Sequence, residues 1–375
     1  MNLLINLTTL KKGGGQNVAL NFLQSLNTEG KLGNFTYAVV KNSAIHSFLE
    51  RNSVKKIIFM PKNPIFRILT EFFLGHTIVS KNKINIIYTY FGIGLYPKKI
   101  LQVSGSADSN IYFPEIDFWS DYKGIKAIIK KIIDLYRIWG LKRMTAVIFE
   151  NKVMEERSKE IFGLKETIFI MPSINSSFHK EKSEQSFCSQ KKIFKGLFFC
   201  GWQKNKNYML IPELAAELKK QNQNFEFIFT APKDFSNEHL EFLEKLKVFD
   251  VENNVRLIGT VDKKDIPSLY DEIDFVFLLS KLESFSNNII EAWYFEKALM
   301  ISDELWSKSI CEDAAIYVDR NNVKDIASSI CDLIKNENMY DNLIKKGKER
   351  ISTYPTIKER TEQELNYLYK IYESN

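Results

Sequence analysis

Short apolar runs recur along this chain, and most are followed by a polar turn and then a segment of helical period. That alternation constrains the fold more than any other feature. Strands joined through helices pair in parallel and build a doubly wound sheet. The pattern is clearest in DFVFLLSKLESFSNNIIEAWYFEKALMISD, Asp274 to Asp303. Phe275 to Leu279 is short, aromatic and β-branched enough for a buried parallel strand. A polar loop from Ser280 to Asn287 follows, then a helix from Ile289 to Glu296 and a second strand from Ala298 to Ile301. Asn288 with Glu291 reads as a cap and its carboxylate partner at the helix start. The helix amino terminus is thereby aimed at the carboxyl edge of a sheet, where an anion would sit.

The same reading extends in both directions. Leu3 to Leu7, Tyr37 to Val40, Ile57 to Met60, Ile84 to Thr89, Ile100 to Val103, Ala146 to Phe149 and Thr167 to Ile170 form one set of expected strands. Gly196 to Cys200, Phe225 to Phe229 and Val255 to Ile258 join Phe275 to Leu279 in a second. Between the sets lies Met171 to Lys192, polar and turn-rich, which reads as a domain boundary. A chain of 375 residues is too long for one ordinary core and suits two α/β domains. Val323 to Lys335, a segment from about Asn338, and Ile357 to Tyr372 are expected helices.

Charge divides along the same line. Residues 1–180 carry 25 Lys+Arg against 13 Asp+Glu, a net of +12; residues 181–375 carry 27 against 33, a net of −6, and the halves sum to +6. The basic half is expected to face something anionic. Lys123 to Arg143 concentrates that charge: Lys123, Lys126, Lys130, Lys131, Arg137, Lys142 and Arg143 stand against Asp134. Ile125, Ile128, Ile129, Ile132, Ile133 and Tyr136 recur in it at helical spacing. Such a helix either lies on an anionic membrane surface, with Tyr136 and Trp139 near the headgroups, or packs its apolar stripe on the core beneath a solvated basic back.

No apolar run approaches the roughly 20 residues of a membrane span. The first charges follow the apolar start rather than precede it, the wrong order for a signal peptide. Cys188, Cys200, Cys311 and Cys331 lack C-x-x-C spacing, so unpaired, mostly buried thiols in a cytoplasmic setting are expected. The four His are dispersed, and no zinc site is expected.

Individual turns carry weaker signals. Gly13-Gly14-Gly15 would let backbone amides approach a ligand, or would simply make a tight turn. It fails as a dinucleotide fingerprint, because the third glycine position is Val18 and no acidic residue ends Tyr37 to Val40. Asp108 follows the strand from Ile100 in SGSAD, a place for a ligand contact or an ordinary turn residue. Gly201, Lys204, Lys206 and Asn207 stand between a strand and the helix from Met209, which suits a phosphate but also a plain surface turn.

Taken together, Gly201 with Lys206-Asn207, NVRLIGTV at Asn254 to Val261 and DEIDFVFLLSKLESFSNNIIEAW at Asp271 to Trp293 resemble the retaining family-four glycosyltransferases. The likeness is close from Gly196 to Val318 and looser over residues 1–180. It implies the GT-B fold: two Rossmann-like doubly wound domains facing across a cleft, spanning 1–178 with the terminal helix 356–375, a linker at 179–192, and 193–355. It implies that Glu291 accepts from ribose hydroxyls and that Glu283 holds the transferred sugar. Ser284, Phe285, Ser286, Asn287 and Asn288 would cradle the diphosphate with Lys206 or Lys204, beside Gly201 and Asn207, with Gly14 and Gly15 also at the donor. No D-x-D occurs, so a metal-free site without cofactor is expected, using a nucleotide-diphosphate sugar as donor.

The sequence departs from the family in four places, one being Lys297-Ala298 where a small residue followed by Pro is usual before the last strand. Trp202 stands where Arg is frequent, Ser284 where Gly is usual, and Gly105-Ser106-Ala107-Asp108 where many members carry His. Asp108 is the remaining candidate for an acceptor-side catalytic group beside Glu283. The implied activity is sugar transfer to a lipid-linked saccharide acceptor in surface-polysaccharide synthesis (O-antigen, lipopolysaccharide or capsule), peripheral to the cytoplasmic membrane face and without a nucleic-acid partner. A nucleotide-sugar 2-epimerase and a non-catalytic nucleotide-sugar-binding protein are the alternatives.

Overall fold

Parallel pairing governs both sheets of the computed structural model, which describes residues 1–10, 13–174 and 190–375. The chain divides into two units, Met1–Asn175 with Pro355–Asn375, and Ser176–Tyr354. Residues 179–189 of the expected linker, with Cys188, Lys11 and Lys12, lie outside the described residues.

The first unit holds seven strands: β1 (Leu3–Asn6), β2 (Thr36–Val40), β3 (Ile57–Met60), β4 (Ile86–Thr89), β5 (Leu101–Ser106), β6 (Ala146–Phe149) and β7 (Thr167–Phe169). Their order is β3-β2-β1-β4-β5-β6-β7, with Leu3 opposite Ile86 and Leu4 opposite Thr36. The second unit holds β8 (Phe194–Phe198), β9 (Phe225–Phe229), β10 (Val255–Leu257), β11 (Phe275–Leu278), β12 (Ala298–Ser302) and β13 (Ile316–Val318), in the order β10-β9-β8-β11-β12-β13. In each sheet the chain reverses its direction of growth beside the first strand, between β1 and β4 and between β8 and β11. Loops leaving the carboxyl ends of such a strand pair diverge and open a crevice.

Both sheets bury apolar residues on two faces, as the continuous apolar runs require. In the second, Phe198 stacks on Phe277 at 5.1 Å, with Phe225 and Phe227 against them. Gly105 in β5 is set by close approach: a Cβ there would lie 1.8 Å from the Tyr90 carbonyl oxygen.

The carboxy-terminal helix, Ile357–Glu373, opens with a capping box between Thr356 and Glu359 and belongs to the first unit. Leu365, Leu368 and Ile371 enter that unit's core. A buried ionic cluster anchors it: Arg360 contacts Glu150 at 2.7 Å and Glu364 at 2.9 Å, and Tyr88 and Tyr90 donate their hydroxyls to Glu364 at 3.4 Å each.

Elements with no counterpart in the sequence reading include β13 and the helices Ala44–Arg51, Pro64–Lys81 and Leu305–Cys311. The basic segment forms the helix Ile125–Leu141, but its apolar stripe does not enter the core. Ile125 is 76 % exposed and Ile128, Ile132 and Leu135 are about as open, whereas only Gly140 and Leu141 are buried. The core-packing alternative is thereby excluded for this stripe. Tyr136, near the headgroups in the membrane alternative and in the core in the other, is half-buried.

Candidate functional site

The carboxyl ends of β8 and β11 gather most of the residues singled out in the second half of the chain. The loop after β11 is held by bonds reaching it from three directions. Lys281 N donates to the Asn205 carbonyl at 2.8 Å, which ties it to the loop after β8. Ser302 Oγ, at the end of β12, donates to the Ser280 carbonyl at 2.8 Å. The indole of Trp306, wholly buried, donates to the Lys281 carbonyl at 3.3 Å. A loop pinned in this way can present a side chain in one orientation.

That side chain is Glu283. Its Oε1 lies 2.6 Å from Lys206 Nζ, and both side chains are largely buried, at 13 % and 19 % exposed. The pair is an ion contact whose angle falls outside directed hydrogen bonding, so the buried Oε1 lone pairs are poorly used. Lys204, by contrast, is exposed. Both belong to a short 3-10 turn, Lys204–Lys206, ended by Asn207 in the left-handed region at φ 57°. Asn tolerates that conformation better than most residues. Its side-chain amide donates to the Arg320 carbonyl at 2.7 Å, so Asn207 fixes the turn.

Helix Asn287–Tyr294 begins two residues earlier than the capping pattern implied. Ser286 is the cap, at φ −131°, and makes no side-chain capping bond. Asn288 sits inside the first turn and donates its amide to the Phe199 carbonyl at 2.9 Å, bridging to the end of β8. The Asn288–Glu291 capping box is therefore absent, because a cap must lie outside the helix and Asn288 does not. Glu291 is instead buried in the second turn, where its Oε2 accepts from the Tyr270 hydroxyl at 3.1 Å. Burial pushes its carboxyl up to about 7, against the smaller downward pull of the Tyr270 bond. Tyr270, packed at 4.7 Å on Phe295, went unnoticed in the sequence because it lies 21 residues from its partner.

The remaining loop residues line up in sequence: Ser284 and Phe285 half-buried, Ser286 buried, Asn287 exposed. Ser284 does not adopt a positive φ, so the residue usual at this place in the resembling family is not needed here. Phe285 lies 6.2 Å from Tyr354. Helix amides at such an amino terminus have no intrahelical acceptor.

Trp202 has an apolar task. Its ring packs among Tyr208, Phe229, His239 and Phe242, and its indole donates to the Pro232 carbonyl at 2.8 Å. Gly201 N donates to the Gln203 side chain at 3.0 Å. Cys200, beside this turn, is a free thiol pushed up to about 12 by burial, with Lys206 pulling it down.

Gly14, Gly15 and Asp108 belong to the first unit. Gly14 and Gly15 are the first residues of helix Gly14–Thr28; Gly15 packs against Leu10 and Phe91, while nothing crowds Gly14. Asp108 follows β5 and pairs with Arg137 Nη2 at 3.0 Å, and Arg137 also meets Asp134 at 3.0 Å. Burial raises the Asp108 pKa, and Arg137 partly offsets this. No group of three or more metal-ligating side chains forms among the described residues.

Residues 180–350 match the family described as glycosyl transferases group 1. No curated protein matches the sequence. Solved structures share the fold over the whole chain. Sucrose-phosphate synthase from Thermosynechococcus elongatus is 12 % identical with a TM-score of 0.73, covering 100 % of both chains. Anabaena HepE, solved with UDP and glucose, is 14 % identical at 0.70, covering 99 % of this chain and 100 % of its own. WaaG, a glycosyltransferase involved in lipopolysaccharide biosynthesis, is 10 % identical at 0.69, covering 98 % and 99 %. The chain therefore has the GT-B fold, and within its second unit residues 180–350 are similar to the glycosyl transferases group 1 family.

Proposed function

We propose that this chain is a retaining, metal-independent glycosyltransferase that moves a sugar from a nucleotide-diphosphate donor to a lipid-linked saccharide in surface-polysaccharide synthesis. The observation that carries the reading is the buried Lys206–Glu283 pair, at 2.6 Å, beside the carboxyl ends of β8 and β11. A buried cation and carboxylate that neutralise each other can each exchange that partner for a ligand group. The donor diphosphate takes Lys206 and the amides at the start of helix Asn287–Tyr294. Glu283, released, accepts hydrogen bonds from the hydroxyls of the transferred sugar. Glu291 accepts from the ribose hydroxyls once its proton leaves.

As the bond from the anomeric carbon to the phosphate oxygen breaks, its electron pair goes to the diphosphate. Lys206 and the helix amides oppose that growing charge, which lowers the barrier. The acceptor oxygen bonds the anomeric carbon on the same face, and its proton passes to the departing phosphate. Asp108, held by Arg137, is the acceptor-side carboxylate. The solved complexes of HepE with UDP-glucose and the lipopolysaccharide role of WaaG support the donor class and the pathway class respectively. The basic helix Ile125–Leu141, with its stripe turned outward, supports a peripheral place on the anionic cytoplasmic membrane face.

A thermal-shift panel of nucleoside diphosphates and nucleotide sugars without metal tests the donor site. A ligand at 100 times its Kd adds roughly 2.7 kcal/mol. No shift with any of them overturns the reading, and donor conversion without an acceptor would assign the site to a 2-epimerase.

A further inference from the structure

Two helices of the first unit are built inside out. In Pro64–Lys81 the residues turned inward are Glu71, wholly buried, Gly75, Val79 and the largely buried Arg67, while the open face carries Ile65, Phe66, Leu69, Phe72 and Phe73. Phe66 is 61 % and Phe73 70 % exposed. In Ile125–Leu141 the Asp134–Arg137 pair turns inward toward Trp119 and Asp108, and the isoleucines face out. A soluble helix orients itself the other way, apolar side to the core. Inverted polarity on one helix is an oddity; on two neighbours it makes a surface.

The two helices do adjoin. Both pack a glycine on the segment after β4: Gly75 against Tyr96 and Pro97, Gly140 against Ile93. Tyr136 of the second feels the charges of Arg67 and Glu71 in the first. The apolar areas thus extend one another, beyond the scattered exposed hydrophobics of an ordinary surface. The outer side of Pro64–Lys81 is grooved between Pro61, Phe66, Leu69, Thr70, Phe73 and Leu74. Next to the apolar residues of the second helix in sequence, Lys123, Lys126, Lys131 and Lys142 are exposed. Apolar centre and cationic rim complement an anionic bilayer, whose headgroups attract Lys while its acyl chains accept Phe and Ile.

We infer that Pro64–Lys81 and Ile125–Leu141 together form one docking face for an anionic phospholipid bilayer. Pro64–Lys81 supplies the insertion, with an acyl chain in its groove, and Ile125–Leu141 supplies most of the cationic rim. This extends the membrane part of the proposed function to a helix that carries little net charge, and it does not depend on the sugar-transfer reading.

The test is flotation of the full chain with phosphatidylglycerol–phosphatidylcholine vesicles and with pure phosphatidylcholine, at low and high salt. Wild type is expected to float with the anionic vesicles and, more weakly, to persist in high salt. Phe66→Ser with Phe73→Ser removes two large apolar contacts and should lower partitioning about a hundredfold, salt-resistant binding included. Lys126→Glu with Lys131→Glu should abolish the preference for anionic vesicles. All four residues are exposed, so unchanged melting curves show that the variants fold. Wild type that stays in the soluble phase, or an F66S/F73S variant that floats like wild type, overturns the inference. So does concentration-dependent self-association that F66S/F73S abolishes without any flotation, which would assign the face to a second copy. No nucleotide enters this assay, so its failure leaves the donor-site reading to the nucleotide panel.

Discussion

Replacing Glu291 by Gln isolates the cost of burying one carboxylate. Glu291 is 8 % exposed, and burial lifts its pKa from 4.5 to about 7. The unfolded chain releases this proton near 4.5, whereas the folded chain holds it until about 7. Between those values the native state binds more protons than the unfolded state, so stability falls as pH rises. At roughly 1.4 kcal/mol per unit, the full displacement is worth about 3 kcal/mol. Gln cannot ionise, yet it keeps an oxygen to accept from Tyr270. Glu291→Gln should therefore gain under about 1 kcal/mol at pH 5 and about 3 kcal/mol at pH 8. In a unit of this size that is roughly 6 to 12 °C in Tm at the higher pH. Thermal unfolding of both proteins across pH 5 to 8 measures it. A difference that stays constant with pH would refute the buried-carboxylate account. The same variant should bind the donor about tenfold to a hundredfold more weakly, since hydrogen bonds to a charged acceptor are worth roughly 1.5–3 kcal/mol.

Three further outcomes follow from the geometry. Glu283→Gln should cut sugar transfer by roughly 10² to 10³ while calorimetry still detects nucleoside-diphosphate binding; turnover within a few-fold of wild type would remove Glu283 from the chemistry. Arg360→Met leaves Glu150 and Glu364 buried without their cation, and should cost about 3–5 kcal/mol in denaturant unfolding of the first unit. Gly105→Ala places a Cβ 1.8 Å from a backbone oxygen that cannot rotate away, and should leave little folded protein by circular dichroism; a stable variant would show that the Tyr90 segment can shift.

Local chemistry alone determined much of this protein. The apolar runs determined the strands, and the alternation with helices determined parallel sheets, because backbone donors and acceptors must pair wherever the chain is buried on both faces. The polar loops after Phe198 and Leu278 pointed to the carboxyl ends of strands, where such sheets leave room for ligands, and the family resemblance of those stretches singled out Glu283, Glu291, Lys206 and Asn207. What those residues touch was decided by tertiary structure. Lys206 meets Glu283 across 77 positions of chain, Asn207 holds Arg320 across 113, and Glu291 owes its raised pKa to burial, which outweighs the downward pull of Tyr270. None of those contacts is local, so no sequence period encodes them. Ser286 rather than Asn288 is the cap because Asn288 already lies inside the helix, where its amide donates to the Phe199 carbonyl just after β8.

The sharpest case is the pair of inverted helices. A helical period in Ile125–Leu141 specifies an apolar stripe and a polar stripe, but periodicity has no sign: it does not say which stripe meets the core. Glycines packed against residues 93–97 and the inward Asp134–Arg137 pair supply that sign, and they turn the apolar side outward.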